Sequence, residues 1–118
     1  MRKLAERFED LEIWQDARVL NREIYISMEA CRDFSFRDQI RRASISVMNN
    51  IAEGFERNTD KDFAHFLDVA KGSCGEIRSM AYAAQDIGVL KEPVARELQS
   101  KAEMLSKRIA ALTRHLRK

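Results

Sequence analysis

Apolar residues recur along this chain at three-and-four spacing in four stretches, the period of a helix with one buried face. The first stretch holds Ile13, Ala17, Leu20, Ile24, Met28 and Cys31, and the second Phe36, Ile40, Ala43, Val47, Ile51 and Phe55. The third is the most regular: Phe63, Phe66, Ala70, Ser73, Ile77, Met80, Ala84 and Ile87. The fourth runs through Val94, Leu98, Ala102, Leu105, Ile109, Leu112 and Leu116.

The breaks between these stretches carry helix-end chemistry. Thr59 suits the N-cap of the third helix, with Asp62 three residues later as a short capping-box acid. Gly88 suits its left-handed stop, and Pro93 fits the first turn of the fourth helix, where a missing N–H costs nothing. The break near Asp33 to Ser35 rests on an Asp, a Ser and a lapse in periodicity. Such short connections force neighbouring helices antiparallel. The expected fold is therefore all-α, an up-down-up-down four-helix bundle occupying residues 1–118 as one domain, with helices of about 20 to 28 residues.

A second set of apolar positions falls outside the predicted core. With Val47 at the centre of its helix's core face, Ile45, Met48 and Ala52 point outward and form a further stripe with Phe55. On the first helix Val19, Ile26 and Ala30 likewise point away from Leu20, Ile24 and Met28. Two neighbouring helices with ordered outer stripes predict a subunit interface. The lesser alternative is a long loop or terminal segment, such as residues 1–11, lying over these stripes.

Composition narrows the field. The chain has 118 residues, 45% of them hydrophobic, with one proline and four glycines. That supplies a core and disfavours a strand-and-turn architecture. No apolar run is long enough to span a membrane, and the N-terminus turns acidic before any apolar stretch, unlike a secretory signal. Cys31 and Cys74 stand far apart without a CxxC context and read as reduced thiols, so the cytoplasm is the expected location.

The net charge of +2 is unevenly spread. Residues 101–118 hold six Lys/Arg against Glu103 alone, which suggests an anionic partner. Cations near a helix C-terminus are also stabilising without any partner. Arg37, Arg41, Lys107, Arg108, Arg114, Arg117 and Lys118 are the candidate nucleic-acid contacts.

Other chemistry is thinly represented. A di-iron bundle needs inward Glu and Glu-x-x-His pairs, whereas His65 and His115 have Asp62 and Leu112 three residues before them. Zinc spacing, a phosphate-cradling glycine loop and a GxSxG elbow are missing. No catalytic residue, metal, cofactor or small-molecule substrate is expected. Gly72, Ser73, Cys74 and Gly75 form a small-residue patch that suggests close approach of another helix, since glycine costs about 1 kcal/mol in a helix interior. The second helix also carries a polar stripe of Gln39, Arg42, Ser46, Asn50, Glu53 and Arg57, expected as a network at a bundle seam or subunit contact.

Three segments together resemble a known family: Phe8 to Ala17 (FEDLEIWQDA), Gln39 to Arg57 (QIRRASISVMNNIAEGFER) and Phe63 to Glu76 (FAHFLDVAKGSCGE). They are similar to the small bacterial four-helix bundle proteins encoded in intervening sequences of 23S ribosomal RNA genes. The accessory variability protein of diversity-generating retroelements is also similar. The resemblance implies a homopentameric barrel of bundles and, for the retroelement member, contacts to nucleic acid and a reverse transcriptase. Where the family often has Ile-Pro-Ser-Asn, this chain has Val47, Met48, Asn49 and Asn50, which removes a proline kink.

Two functions compete. One is a non-enzymatic homo-oligomer binding structured RNA, or a protein–RNA complex, through basic helix ends. The other is a protein-interaction scaffold whose basic tail only satisfies a helix terminus. Convergence of Arg37, Arg41, Arg114, Arg117 and Lys118 on one rim would favour RNA, and dispersal among acids would favour the scaffold.

Overall fold

The computed structural model describes residues 4–118. A single 3-10 turn, Phe8–Asp10, precedes four helices: α1 (Glu12–Ser27), α2 (Phe34–Phe55), α3 (Asp60–Asp86) and α4 (Glu92–Leu116). They form an all-α bundle measuring 48 × 19 × 19 Å. No strand occurs among the described residues.

The helix ends are built as the residue types dictate. The Thr59 hydroxyl accepts from the Asp62 N–H at 3.1 Å, satisfying one of the orphan donors of the first turn of α3. The Asp33 carboxylate does the same for the Phe36 N–H at 3.1 Å. Gly88 has φ +80°, and the following Val89 N–H returns to the Ala84 carbonyl at 2.9 Å, closing the end of α3. Pro93 lies in the first turn of α4.

One boundary differs from the periodic pattern. α1 has 16 residues, below the expected 20 to 28, although Met28 and Cys31 remain buried at 0% and 6% exposure. The backbone turns after Ser27, where the Cys31 N–H bonds to the Met28 carbonyl at 3.0 Å. The apolar side chains thus stay in the core while their backbone belongs to a turn. Hydrophobic period reports burial there, not helix.

The core is a single cluster in which Ile24, Ile40, Val47, Ile51, Leu67, Ile77, Leu98, Leu105 and Ile109 are fully or almost fully enclosed. Alanines at positions 64, 70, 81, 84, 95 and 102 are completely buried on α3 and α4. Small side chains at a seam let helix axes approach, and α3 and α4 pack together more extensively than any other pair. The antiparallel order α1–α2–α3–α4 is visible in the cross-links. Arg117 at the end of α4 meets Asp68 near the start of α3. Arg108 in α4 meets Asp16 in α1, and Ser44 in α2 donates to Asn21 in α1 at 2.6 Å.

Several residues expected in the core sit at its margin. Val94 is 40% exposed and Ile87 54% exposed. On α4 the better core stripe is Ala95, Leu98, Ala102, Leu105 and Ile109, one position out of phase with Val94. Ile87 forms the C-cap of α3, where the backbone is already leaving the core face.

Candidate interaction surfaces

An apolar exposed surface runs along the seam between α1 and α4. Val19 and Ile26, two turns apart on α1, are 38% and 61% exposed. Across from them on α4 stand Val94 and Met104, the latter 56% exposed. A groove of about 200 Å³ lies beside Val19, Leu20, Met104 and Leu105, and another opens beside Ile26, Val94 and Leu98. Charged pairs bridge the same seam. Arg108 Nη1 reaches Asp16 Oδ2 at 2.6 Å, and Lys101 contacts both Glu23 and Glu97. Hydrogen bonding to Glu23, then to Glu97, raises the Lys101 pKa.

Val19 and Ile26 lie off the core, as their period predicts, on the flank of α1 that faces α4. The α1 flank facing α2 is instead occupied by Asn21 and Tyr25, which contact Ser44 and Arg41. Met104 lies outside the periodic stretch that begins at Val94. Starting from Ala95 places both Val94 and Met104 on a common flank.

The expected outer stripe of α2 divides in two. Met48 and Phe55 pack against the chain's own core, with Phe55 edge-on to Phe63 at a centroid distance of 6.0 Å. They do not belong to an exposed stripe. Ile45 and Ala52 are half-buried and lie opposite Val47 on the helix. The 3-10 turn packs on α1 and α2. Residues 1–3 of the N-terminal segment lie outside the described residues.

The polar stripe of α2 forms a network with α3. Gln39 donates to Glu76, and Arg42 donates to Gln39 Oε1 at 2.9 Å. The Ser46 and Ser73 hydroxyls are 2.9 Å apart. Asn50 donates to the Ser46 carbonyl at 2.8 Å and to its hydroxyl at 3.0 Å. Glu53 and Arg57 stand apart as their own pair at 3.8 Å, the guanidinium 4.7 Å from the Phe66 ring. Donors and acceptors are spent on one another, which makes this seam a clamp between helices. Its α3 half, Ser73 and Glu76, carried no signal in α2 alone.

The basic residues do not share a rim. Arg37 and Arg41 lie in the first turns of α2, whereas Arg114, Arg117 and Lys118 lie at the end of α4. In an antiparallel bundle those are opposite ends of a 48 Å body. Arg37 pairs with Asp38 at 3.2 Å and stacks 4.7 Å from Phe34. Arg41 stacks 4.5 Å from Tyr25 and donates to its carbonyl at 2.9 Å, tying the end of α1 to α2. Arg108 and Arg117 are paired with Asp16 and Asp68, and Lys107 lies 3.6 Å from Glu103.

Gly72 and Gly75 are not points of close helix approach within the chain, because nothing lies within 4 Å of where a Cβ would sit. Cys74 between them is fully buried. Burial pushes its thiol up to about 12, with Lys71 pulling weakly the other way, the reverse of what a nucleophile needs.

No helix among the described residues is long and apolar enough to cross a membrane. A search among curated proteins finds no match. The family model described as 23S rRNA-intervening sequence protein matches residues 9–111, nearly the whole bundle. The chain belongs to the 23S rRNA-intervening sequence protein family.

Proposed function

We propose that this chain is a non-enzymatic subunit of a closed homo-oligomer and acts as an interaction scaffold in the reducing cytoplasm. The observation that carries the proposal is the line of Val19, Ile26, Val94 and Met104 along the α1–α4 seam. An apolar strip bordered by ion pairs has the anatomy of a subunit contact, an apolar centre within a polar rim. A ring needs two different patches on every subunit, because its contacts are heterologous. The second patch in this proposal is the outer face of α2, with Ile45 and Ala52. Five subunits is the number implied by the family resemblance of the sequence.

Dispersal of the basic residues supports the scaffold over RNA capture by helix ends. Arg37 and Arg41 are engaged with aromatic rings at one end, and Arg117 is engaged with Asp68 at the other. Light scattering on the purified chain at tens of micromolar tests the assembly directly. A single species of five subunit masses is expected, and a monomer would remove the basis of the proposal.

A further inference from the structure

Charge also gathers along the outer ridge between α3 and α4, where Lys107 and Arg114, two of the cations singled out in the sequence, stand beside Lys71 and Arg78 of α3. Lys71 and Arg78 stand seven residues apart on α3, and Lys107 and Arg114 seven apart on α4. Seven residues span about 10 Å of helix, and packed helix axes are about 8 to 10 Å apart. Arg78 and Lys107 both approach Glu103 Oε2 across the groove, and Lys71 and Arg114 lie two turns away along their helices.

The floor between them is shallow and small: Gly75, Ser106 and Ala110 line it, and the space above Gly75 is open. Glu103 is the one acid in its lining, 3.8 Å from Arg78 and 3.6 Å from Lys107. Those distances exceed hydrogen-bonding range, so the pairs are weak and open to competition. Lys71 and Arg114 are exposed, with no ion pair among the described residues.

We infer that the α3–α4 ridge binds the phosphodiester backbone of a nucleic acid. The two ends of the patch lie about 10 Å apart along the helices, too far for one free phosphate to meet all four cations. They suit a polyanion that carries a phosphate every ~3.4 Å along each strand. Contacts of this kind position a strand without reading bases, so RNA and DNA hairpins should bind alike and without sequence preference. The ridge belongs to one protomer and does not depend on the proposed assembly.

The test is fluorescence anisotropy with a labelled RNA hairpin and a DNA hairpin, at about 50 and 200 mM salt. Four phosphate contacts predict a log–log salt slope near −3, at roughly 0.7 to 0.9 per contact. The triple variant Lys71→Gln, Lys107→Gln, Arg114→Gln should flatten the slope to about −1 and weaken low-salt binding at least about tenfold. A charge-matched control, Arg22→Gln, Arg32→Gln, Lys91→Gln, should stay within about twofold of wild type. Should the ridge triple lose its fold, Lys71→Gln alone should reduce the slope by roughly 0.7 to 0.9. Absence of wild-type binding at low salt, or equal loss in control and ridge variants, overturns the assignment. Polyglutamate that displaces the hairpins at equal charge concentration would assign the ridge to an acidic polypeptide and overturn it too.

Discussion

A Cβ placed on Gly54 would lie 2.8 Å from the Cβ of Phe66 and 2.9 Å from Cδ1 of Phe63. The last turn of α2 is thus pressed onto the first turns of α3, and only a missing side chain allows the contact. Phe66 Cβ is fixed to its backbone, so a methyl group at position 54 must move a helix. Gly54→Ala should lower stability by about 1 to 3 kcal/mol, despite the better helix propensity of alanine. Gly72→Ala, in open space, should raise it by about 0.5 to 1 kcal/mol. Thermal melts of both variants separate the two environments, and shifts of the same sign would contradict this account.

Trp14 is half-buried and meets the Phe8 ring edge-on at 5.2 Å and 63°. This pair pins the N-terminal turn to α1. Trp14→Ala should cost about 2 to 4 kcal/mol. A double-mutant cycle with Phe8→Ala should show coupling of about 0.5 to 1.5 kcal/mol. Additive losses would mean that the turn packs independently of the indole.

The Cys74 thiol is held neutral by burial, with a pKa of about 12 against an ordinary 9.0. At pH 8 it has roughly a thousandfold less thiolate than an unperturbed thiol. Alkylation of the native protein, followed by mass analysis of the Cys74 peptide, should proceed only as fast as the chain unfolds. The same shift fixes a pH dependence. The folded state favours the protonated thiol, so this contribution to stability is complete below pH 9 and is lost as pH rises toward 12. Cys74→Ala should reduce alkaline destabilisation in that window, and an unchanged alkaline limb would contradict the assignment.

The bundle was legible in the sequence where one residue type answers one backbone need. Thr59, Gly88 and Pro93 each mark an end of α3 or α4 for a local reason that no tertiary contact overrides. The end of α1 was not legible, since Met28 and Cys31 keep the hydrophobic period while their backbone turns. The interaction surfaces were legible only in part, because periodicity gives the angle of a side chain but not which neighbour covers it. Val19 and Ile26 were correctly read as lying off the core, while Met48 and Phe55 were claimed by it. The basic rim failed for a topological reason. The starts and ends of two even-numbered helices lie at opposite ends of an antiparallel bundle, so Arg37 and Arg114 cannot meet within one chain.

The central claim is a heterologous contact between the α1–α4 seam of one subunit and the outer face of α2 in the next. Sedimentation of Ile26→Glu, Ile45→Glu and their equimolar mixture tests it, since each change places a charge in a desolvated contact. Each variant alone should run as a monomer with unchanged helical content, and the mixture should form a dimer through its one intact pair of faces. Retention of the wild-type mass by Ile26→Glu would contradict the claim.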